Sequence, residues 1–558
     1  MLGSHTIEKA EMATQSKFSL FLIRYERLIP PLLFLIFLLL TVPGISWGAP
    51  DIWNPDELVA RADLALGGEL KFDETEPDFN YPSLPKYVMY GVGKLVYGLG
   101  YSRTEFLISA RLVSVILGGL TVILIYLLAR AMGGSIYTGL LAAFLTIFNS
   151  EFAHNARFAH NDLYLVFFIT LAIYSLIKYR LASKKLWLYA AFFEIGLAAS
   201  SKYNGVVLIV VPVIFFLFTV WREKGKGFLG ILETLFIGLI LGFLGYAAGT
   251  PKSLSWMSFY LKRATPAIFR HAVYGVQPDS VVGLFGQWGT FEHALGAPVY
   301  YLSLIALAWF CVKLVLYYLR RVKANDEAMD TILILLMAIL VFDLPILFSY
   351  NYQPRFFLPF VPFFSILAGL FVDDLVNLAT KRGYSFVPPV VGVSAFLIIS
   401  FSLLRVISVM LLYVNDARSP ASEFVKTLPA GTSIEYTLYP PTIQEGHFSR
   451  KHNYPIFFKK YPDQAVPTKK AYNYNEGEAG LEARGTDYLV IDSFTYARFS
   501  DDYICQSNPV ECDFFAKLQA GETNYRLVKD FKYSLPAFLP ELSIAAVNPE
   551  IKVYERVR

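Results

Sequence analysis

About eleven apolar stretches, each near the length of a bilayer crossing, leave this chain few ways to fold. A span through the hydrocarbon core needs roughly 20 residues with few or no charges. Such windows fall at about 28–48, 106–129, 136–150, 162–180, 186–201, 204–221, 228–248, 298–319, 330–349, 356–374 and 387–412. In lipid each backbone polar group must be satisfied within its own segment, so these windows predict helices. Composition agrees: 17% of the 558 residues are charged and mean hydropathy is +0.46, against about 25% charged in a soluble domain. The expected fold class is mainly α, a polytopic transmembrane bundle of about eleven spans.

Loop charge tests that count. With Lys17, Arg24 and Arg27 in a cytoplasmic N-terminal segment (1–27), the even connections fall inside. They hold Arg130, then Lys178, Arg180, Lys184 and Lys185, then Arg222, Lys224 and Lys226, then Arg320, Arg321 and Lys323, and last Lys381 and Arg382. Every inner connection is basic, and one missed helix would invert all later loops. The net charge of +4 therefore reads as loop bias, not as a nucleic-acid surface. The first apolar run, Leu28 to Trp47, is long for a signal-peptide core and is expected to remain as the first span.

The outer connections differ. Residues 49–105 form a long loop rich in Asp, Glu, Pro and Tyr, in which Leu84 to Leu99 reads as an amphipathic surface helix. Residues 249–297 form a second. Long loops in a compact protein are usually functional. The membrane part thus spans 28–412, and 413–558 is expected to be a small extracytoplasmic α/β domain. Its strands are Ser433–Tyr436, Tyr488–Ile491 and Ile551–Tyr554, with a helix from Ala421 to Leu428. Cys505 and Cys512 are close enough for a disulfide loop, which suits an oxidising compartment. There is no G-x-G-x-x-G and no Walker loop, so nucleotide binding lacks support.

Charge near lipid is expensive, and its collection on one face marks a site. Asp56-Glu57 follows the first span. Adjacent carboxylates can divide labour, one accepting a proton while the other orients a substrate; the plainer reading is a solvated loop pair. Arg111 lies near the outer start of the second span, where a guanidinium wants an anion such as a lipid phosphate; snorkelling is the alternative. In the turn His154 to Asp162, Arg157 suits a phosphate or sugar hydroxyl, Asp162 suits that arginine or a sugar, and for the histidines, His160 among them, ordinary loop hydrogen bonding is the favoured reading. The histidine spacing matches no zinc pattern, and a site shared with His271 and His293 is the less favoured reading. Lys202 breaks a long apolar run at an outer corner, and Arg355 heads a helix, with Asp343 as its structural alternative partner. A sugar on a lipid phosphate brings its own leaving group, so transfer needs a base for the acceptor and cations for the departing phosphate. One carboxylate pair plus several cations at one bilayer face meets that need.

At these residues the chain resembles the C-type glycosyltransferases of the dolichyl-phosphate-mannose protein mannosyltransferase superfamily, which includes the lipid A aminoarabinose transferases. Four pieces over roughly residues 25–412 carry the likeness: Asp56-Glu57 followed by Phe79-Asn80-Tyr81-Pro82-Ser83-Leu84-Pro85-Lys86-Tyr87; Ala110-Arg111-Leu112 ahead of Gly118-Gly119-Leu120; Asn155 to Asp162; and Pro354-Arg355-Phe356-Phe357-Leu358-Pro359. Asn415-Asp416-Ala417-Arg418 is similar to prokaryotic members with an outer C-terminal domain. The resemblance implies a GT-C fold and inverting transfer from a polyprenyl- or dolichyl-phosphate sugar to a protein, lipid or glycan acceptor. It implies Asp56 as base, Glu57 as an orienting acid, and Arg111 and Arg355 at the donor phosphate, where Lys202 and Arg157 are expected as further cations. Asp162, His160, Tyr81 and Lys86 would face sugar or acceptor. No cofactor is required, and a divalent metal is left open. A transporter or lipid flippase is the rival reading; it predicts midplane polarity and internal symmetry, where this chain shows polarity skewed to one face and no repeat.

Overall fold

The computed structural model describes residues 22–75, 79, 81–223, 227–273, 287–320, 325–347, 353–467 and 473–557. Of the residues named above, Lys17, Asn80, Lys224, Lys226, Arg321 and Lys323 lie outside them. Each expected span meets a helix: Ile29–Thr41, Arg103–Ala131, Ile136–Ile147, Asp162–Ala182, Lys185–Ser201, Val210–Glu223 (entered by the 3-10 turn Tyr203–Ile209), Phe228–Gly249, Ala297–Tyr318, Asp326–Leu347, Phe360–Lys381 and Val387–Val414. Among the described residues seven helices are long and apolar enough to cross a bilayer. The chain is a multi-pass membrane protein of mainly helical fold. Surface helix Leu84–Gly98 also forms.

The chain divides into two compact units. One comprises residues up to Val42 with Glu57–Ile407, the other Pro43–Asp56 with Ser408–Arg558. In the first unit, association cannot rest on apolar burial, since lipid is as apolar as leucine; close backbone approach replaces it. Gly196 and Gly245 let Lys185–Ser201 lie against Phe228–Gly249 with carbonyls almost touching the glycines, so a methyl at either would run into backbone. Gly118 and Gly119 receive the rings of Phe37 and Phe34 from the first helix, where a Cβ would come within 2.7 Å and 2.5 Å of ring atoms. At one end of this unit, basic ends of helices meet acids. Arg130 bonds Glu26 at 2.8 Å, and Arg180 and Arg222 converge on buried Asp330 at 2.5 and 2.6 Å. At the opposite helix ends of the same unit lie Glu57, Arg111, the turn His154 to Asp162, Lys202 and Arg355.

In the second unit five strands form one sheet in the order β2-β1-β3-β5-β4: β1 Ser433–Tyr436, β2 Arg450–Asn453, β3 Tyr488–Asp492, β4 Tyr525–Phe531 and β5 Ile551–Arg556. β2, β1 and β3 run parallel, and β5 is antiparallel to both β3 and β4. β3 is buried along its whole length, as a central strand covered on both faces must be. Ile434, Val490 and Val553 face one core with Ala421 and Val425; Leu489, Ile491 and Tyr554 face another with Phe514 and Phe515. The helix expected from Ala421 forms over Arg418–Val425, and Cys505 and Cys512 are bonded. Pro43–Asp56 joins this unit through a polar knot. Arg418 lies 4.9 Å and 4.3 Å from the Trp47 and Trp53 ring centroids. Its Nη2 donates to Asp416 Oδ2 at 2.8 Å, which also accepts from Trp47 Nε1 at 2.8 Å.

Within the second core Glu511 is fully buried and accepts from Tyr454 Oη at 3.0 Å. Burial raises its carboxyl from the usual 4.5 to about 7, against the Tyr454 hydrogen bond. An acid whose folded pKa is raised stabilises fully below its unfolded pKa and loses that contribution as pH climbs to the folded value. Glu511→Gln keeps an oxygen for Tyr454 and has no charge to bury. It is expected to raise the melting temperature at pH 8 and to flatten its decline between pH 4.5 and 7, a window worth roughly 3 kcal/mol, read by thermal unfolding across pH.

Candidate active site

Glu57 begins the site. It follows half-buried Asp56, whose backbone N–H donates to Asn54 Oδ1 at 3.0 Å. Its carboxylate is fully buried and takes two parallel hydrogen bonds from Arg111, Nε to Oε1 and Nη2 to Oε2, both at 2.8 Å. The Ala159 N–H adds a third at 3.0 Å, and the Leu58 N–H returns one to the Ala159 carbonyl at 3.0 Å. Fork-to-fork pairing of this kind is the strongest form of charge-assisted hydrogen bond. It ties the first loop to the Arg103–Ala131 helix and to the turn before Asp162. Two expectations change here. Arg111, expected at a donor phosphate, instead spends its guanidinium edge on Glu57. Glu57, expected to orient a substrate, is enclosed by protein.

Arg157 changes as well. It is buried, donating from Nη1 to the Ala153 carbonyl at 2.6 Å and from Nη2 to the carbonyl of Leu40. A carbonyl in the last turn of the first helix has no intrahelical partner, and Arg157 satisfies one. Two of its N–H groups therefore serve helix-end carbonyls.

Five expected residues do come together. Asp162, first residue of its helix, accepts from Lys202 Nζ at 2.6 Å on Oδ1, and its Oδ2 lies 2.7 Å from His160 Nδ1. The Tyr81 ring packs edge-on against His160 with centroids 5.4 Å apart. Lys86, fully buried, donates to the Tyr81 carbonyl at 3.0 Å and sits 5.6 Å from the Phe72 ring centroid. Lys86 thus holds the Tyr81 backbone. The buried Nε2 of His160 has no hydrogen-bond partner among the described residues. Asn161 closes the corner by donating to the Ser201 carbonyl at 3.1 Å.

Arg355 lies in the turn Pro354–Phe357, and Lys202 Nζ is 5.3 Å from the ring centroid of the next residue, Phe356. Asp343, weighed as its partner, receives Gln287 Nε2 at 3.4 Å. Arg355 instead acts electrostatically on the turn at Glu151 and His154. Burial raises Glu151 to about 7, the Asn155 amide at 2.7 Å and the charges of Arg355 and Arg405 opposing it and Asp162 adding to it. Burial, with Arg157 and Arg355 beside it, lowers His154 to about 3, so it stays neutral. Glu151 and Arg405 were not singled out from sequence. Arg405 is a lone cation in an apolar window, a signal of the same kind as Arg111; it donates to Ser150 Oγ at 3.1 Å and to the His293 carbonyl at 3.0 Å. Among the described residues no three His, Cys, Asp or Glu side chains gather as a metal site.

Next to Lys202 an apolar cavity of about 430 Å³ opens between helices, lined by Ile195, Ala199, Tyr203, Leu239, Phe243 and Tyr260 among others. Tyr203 Oη donates to the Phe79 carbonyl at 3.1 Å, and Tyr260 packs on the Phe79 ring at 5.8 Å. A greasy slot thus begins one residue from the Lys202–Asp162 pair.

Residues 100–248 match the family model described as dolichyl-phosphate-mannose-protein mannosyltransferase. Dolichyl-phosphate-mannose–protein mannosyltransferase 1 of Saccharomyces cerevisiae is 24% identical over 256 residues, 42% of this chain and 30% of that one. An uncharacterized protein of Aquifex aeolicus is 26% identical over 190 residues, 32% of this chain and 37% of that one. The matches span only about a third of those relatives' own length. The crystal structure of ArnT from Cupriavidus metallidurans bound to undecaprenyl phosphate superimposes with a TM-score of 0.51 at 12% identity, covering 95% of this chain and 98% of that one. Its apo form gives 0.50 at 13% identity, covering 94% and 98%. The resemblance read from the motifs is borne out: the chain carries the protein-mannosyltransferase sequence pattern over residues 100–248 on the fold of the ArnT structures.

Proposed function

We propose that this protein is an integral-membrane glycosyltransferase moving a sugar from a polyprenyl-phosphate carrier to a hydroxyl or amine of an acceptor outside the cytoplasm. The observation that carries the reading is the Glu57–Arg111 clamp, buried and bidentate, which anchors an acidic dipeptide against the turn that ends at Asp162, the carboxylate that holds Lys202. The matched family and the ArnT fold support it. The basic inner connections support an N-terminus inside and a C-terminal unit outside, and the Cys505–Cys512 bond suits an oxidising exterior.

The reaction is a single displacement. Asp56, joined by one peptide bond to the anchored Glu57, takes the acceptor proton as its oxygen or nitrogen attacks the anomeric carbon. The bond from that carbon to the phosphate oxygen breaks, the electron pair leaves on the phosphate, and configuration inverts. Lys202 and Arg355 offset the charge growing on the departing phosphate. Glu57 and Arg111 act by positioning. Asp162, braced by His160, holds Lys202, and Tyr81 borders the sugar. The apolar slot beside Tyr203 takes the first isoprene units of the carrier.

The test is transfer by protein reconstituted in liposomes with a panel of radiolabelled polyprenyl-phosphate sugars. One or more donors should turn over; none doing so would overturn the proposal. Lys202→Met should lower kcat/KM for that donor by roughly 10- to 100-fold, the scale of a lost charge-assisted hydrogen bond, and should weaken inhibition by the free polyprenyl phosphate product in parallel. Unchanged product inhibition would remove Lys202 from the phosphate.

A further inference from the structure

The sheet of the C-terminal unit has a crevice that the transfer chemistry does not use. After β1 the chain leaves for β2 on one side, and after β3 it leaves for β4 on the other. In open sheets with parallel strands, connections diverging from neighbouring carboxyl ends leave a crevice, and ligands bind there. A cavity of about 330 Å³ lies at this point. Thr437 and Leu438 enter it from the end of β1, Tyr454 and Pro455 from the end of β2, and Thr495 from beyond β3. The floor is rigid. Asp492 Oδ2 accepts from Thr437 Oγ1 at 2.5 Å, Thr495 Oγ1 at 2.7 Å and the Tyr439 N–H at 3.0 Å.

The walls select the ligand. Tyr436, Tyr454, Phe458, Tyr474 and Phe499 line them. Ring faces suit a partner that alternates apolar C–H patches with hydroxyls, and tyrosine adds a polar end. Among the described residues that line the cavity one is a cation and none is an acid. Arg498 is exposed, lies 5.8 Å from the Phe458 ring centroid, and makes no hydrogen bond or ion pair with any described residue. The Tyr474 hydroxyl likewise has no protein partner among them; its ring meets only Phe457, at 5.9 Å. Two polar ends over an aromatic wall, one a guanidinium without a counter-charge, fit a carboxylate on a sugar ring. The connection leaving β1 reads Thr437-Leu438-Tyr439-Pro440-Pro441, with no glycine for the backbone to wrap a phosphate, which disfavours a nucleotide.

From this we infer that the C-terminal unit carries a binding site for an acidic saccharide at the carboxyl ends of β1, β2 and β3. This binding needs no donor and does not depend on the transfer reading, so either can fail alone.

The experiment is calorimetric titration of the full-length protein in nanodiscs with digalacturonate, maltose and uridine monophosphate. Digalacturonate should bind at one site and maltose at least ten-fold more weakly. Arg498→Ala should lose at least ten-fold in digalacturonate affinity and most of the preference over maltose; Tyr474→Ala should weaken both sugars. Arg498 is exposed and Tyr474 half-buried, and an unchanged melting temperature shows the fold intact. Binding that persists in Lys202→Met, the variant that weakens binding of the polyprenyl phosphate, locates it away from the transfer chemistry. Absence of saturable binding, equal affinity for maltose, tighter binding of uridine monophosphate, or indifference to both substitutions would each overturn the inference.

Discussion

Asp56→Asn is expected to lower kcat by about 10²–10⁴-fold, the usual contribution of a positioned general base, while donor KM changes little. The amide is nearly isosteric with the carboxylate and cannot accept the acceptor's proton. Its backbone N–H bond to Asn54 Oδ1 is left alone by the substitution, and the contacts that anchor the dipeptide belong to Glu57. The melting temperature, measured beside the rate, shows that the clamp is intact. Single-turnover assays with preloaded donor separate chemistry from binding; a variant turning over within ten-fold of the wild type would remove Asp56 as the base.

Arg111→Met should damage stability more than any other single change at this end of the bundle. It strands the Glu57 carboxylate in a fully buried position with the Ala159 N–H as its one remaining partner in the clamp. Breaking a buried pair by removing one member costs about 3–5 kcal/mol, because the partner's charge stays desolvated. Removing both charges is a different matter. Glu57→Gln combined with Arg111→Met leaves no buried ion and should recover most of the lost stability in a double-mutant cycle. Activity should not return with it, since the dipeptide is no longer held by two parallel bonds. Arg111→Lys should fall between, for an ammonium cannot reproduce the fork. Thermal unfolding in detergent, read beside transfer rate, checks all three; a single variant as stable as the wild type would show that the clamp is incidental.

The helical frame was legible because lipid permits few alternatives: a long uncharged window has little choice but helix, and all eleven windows became one. The C-terminal sheet was legible where strands are buried and lost where they are not. β2, Arg450-Lys451-His452-Asn453, is wholly polar, and β4, Tyr525–Phe531, mixes apolar and charged residues; both are largely exposed, so they lack the buried apolar pattern by which β1, β3 and β5 announce themselves. At the site, the cost of charge near lipid pointed to the right residues but not to their partners. Arg111 and Arg157 look alike in sequence whether they meet a phosphate, a carboxylate 54 residues away or a helix-end carbonyl. Lys202 and Asp162 were each singled out, yet nothing in the spacing said they would meet. Pairings across a bundle depend on helix rotation, which small residues such as Gly196 and Gly245 set through backbone approach.

The arginine held between two indoles has a practical corollary for anyone trimming this protein. Cleavage just after Tyr413 looks harmless on a hydropathy plot, for it spares every span. It would nevertheless strip Trp47 and Trp53 of Arg418 and Asp416, the partners against which that stretch of chain is folded. The stretch ends at Asp56. A shortened version should insert, keep its helices and still be inert, and grafting a foreign tail would succeed only if the graft brought its own clasp for the two tryptophans.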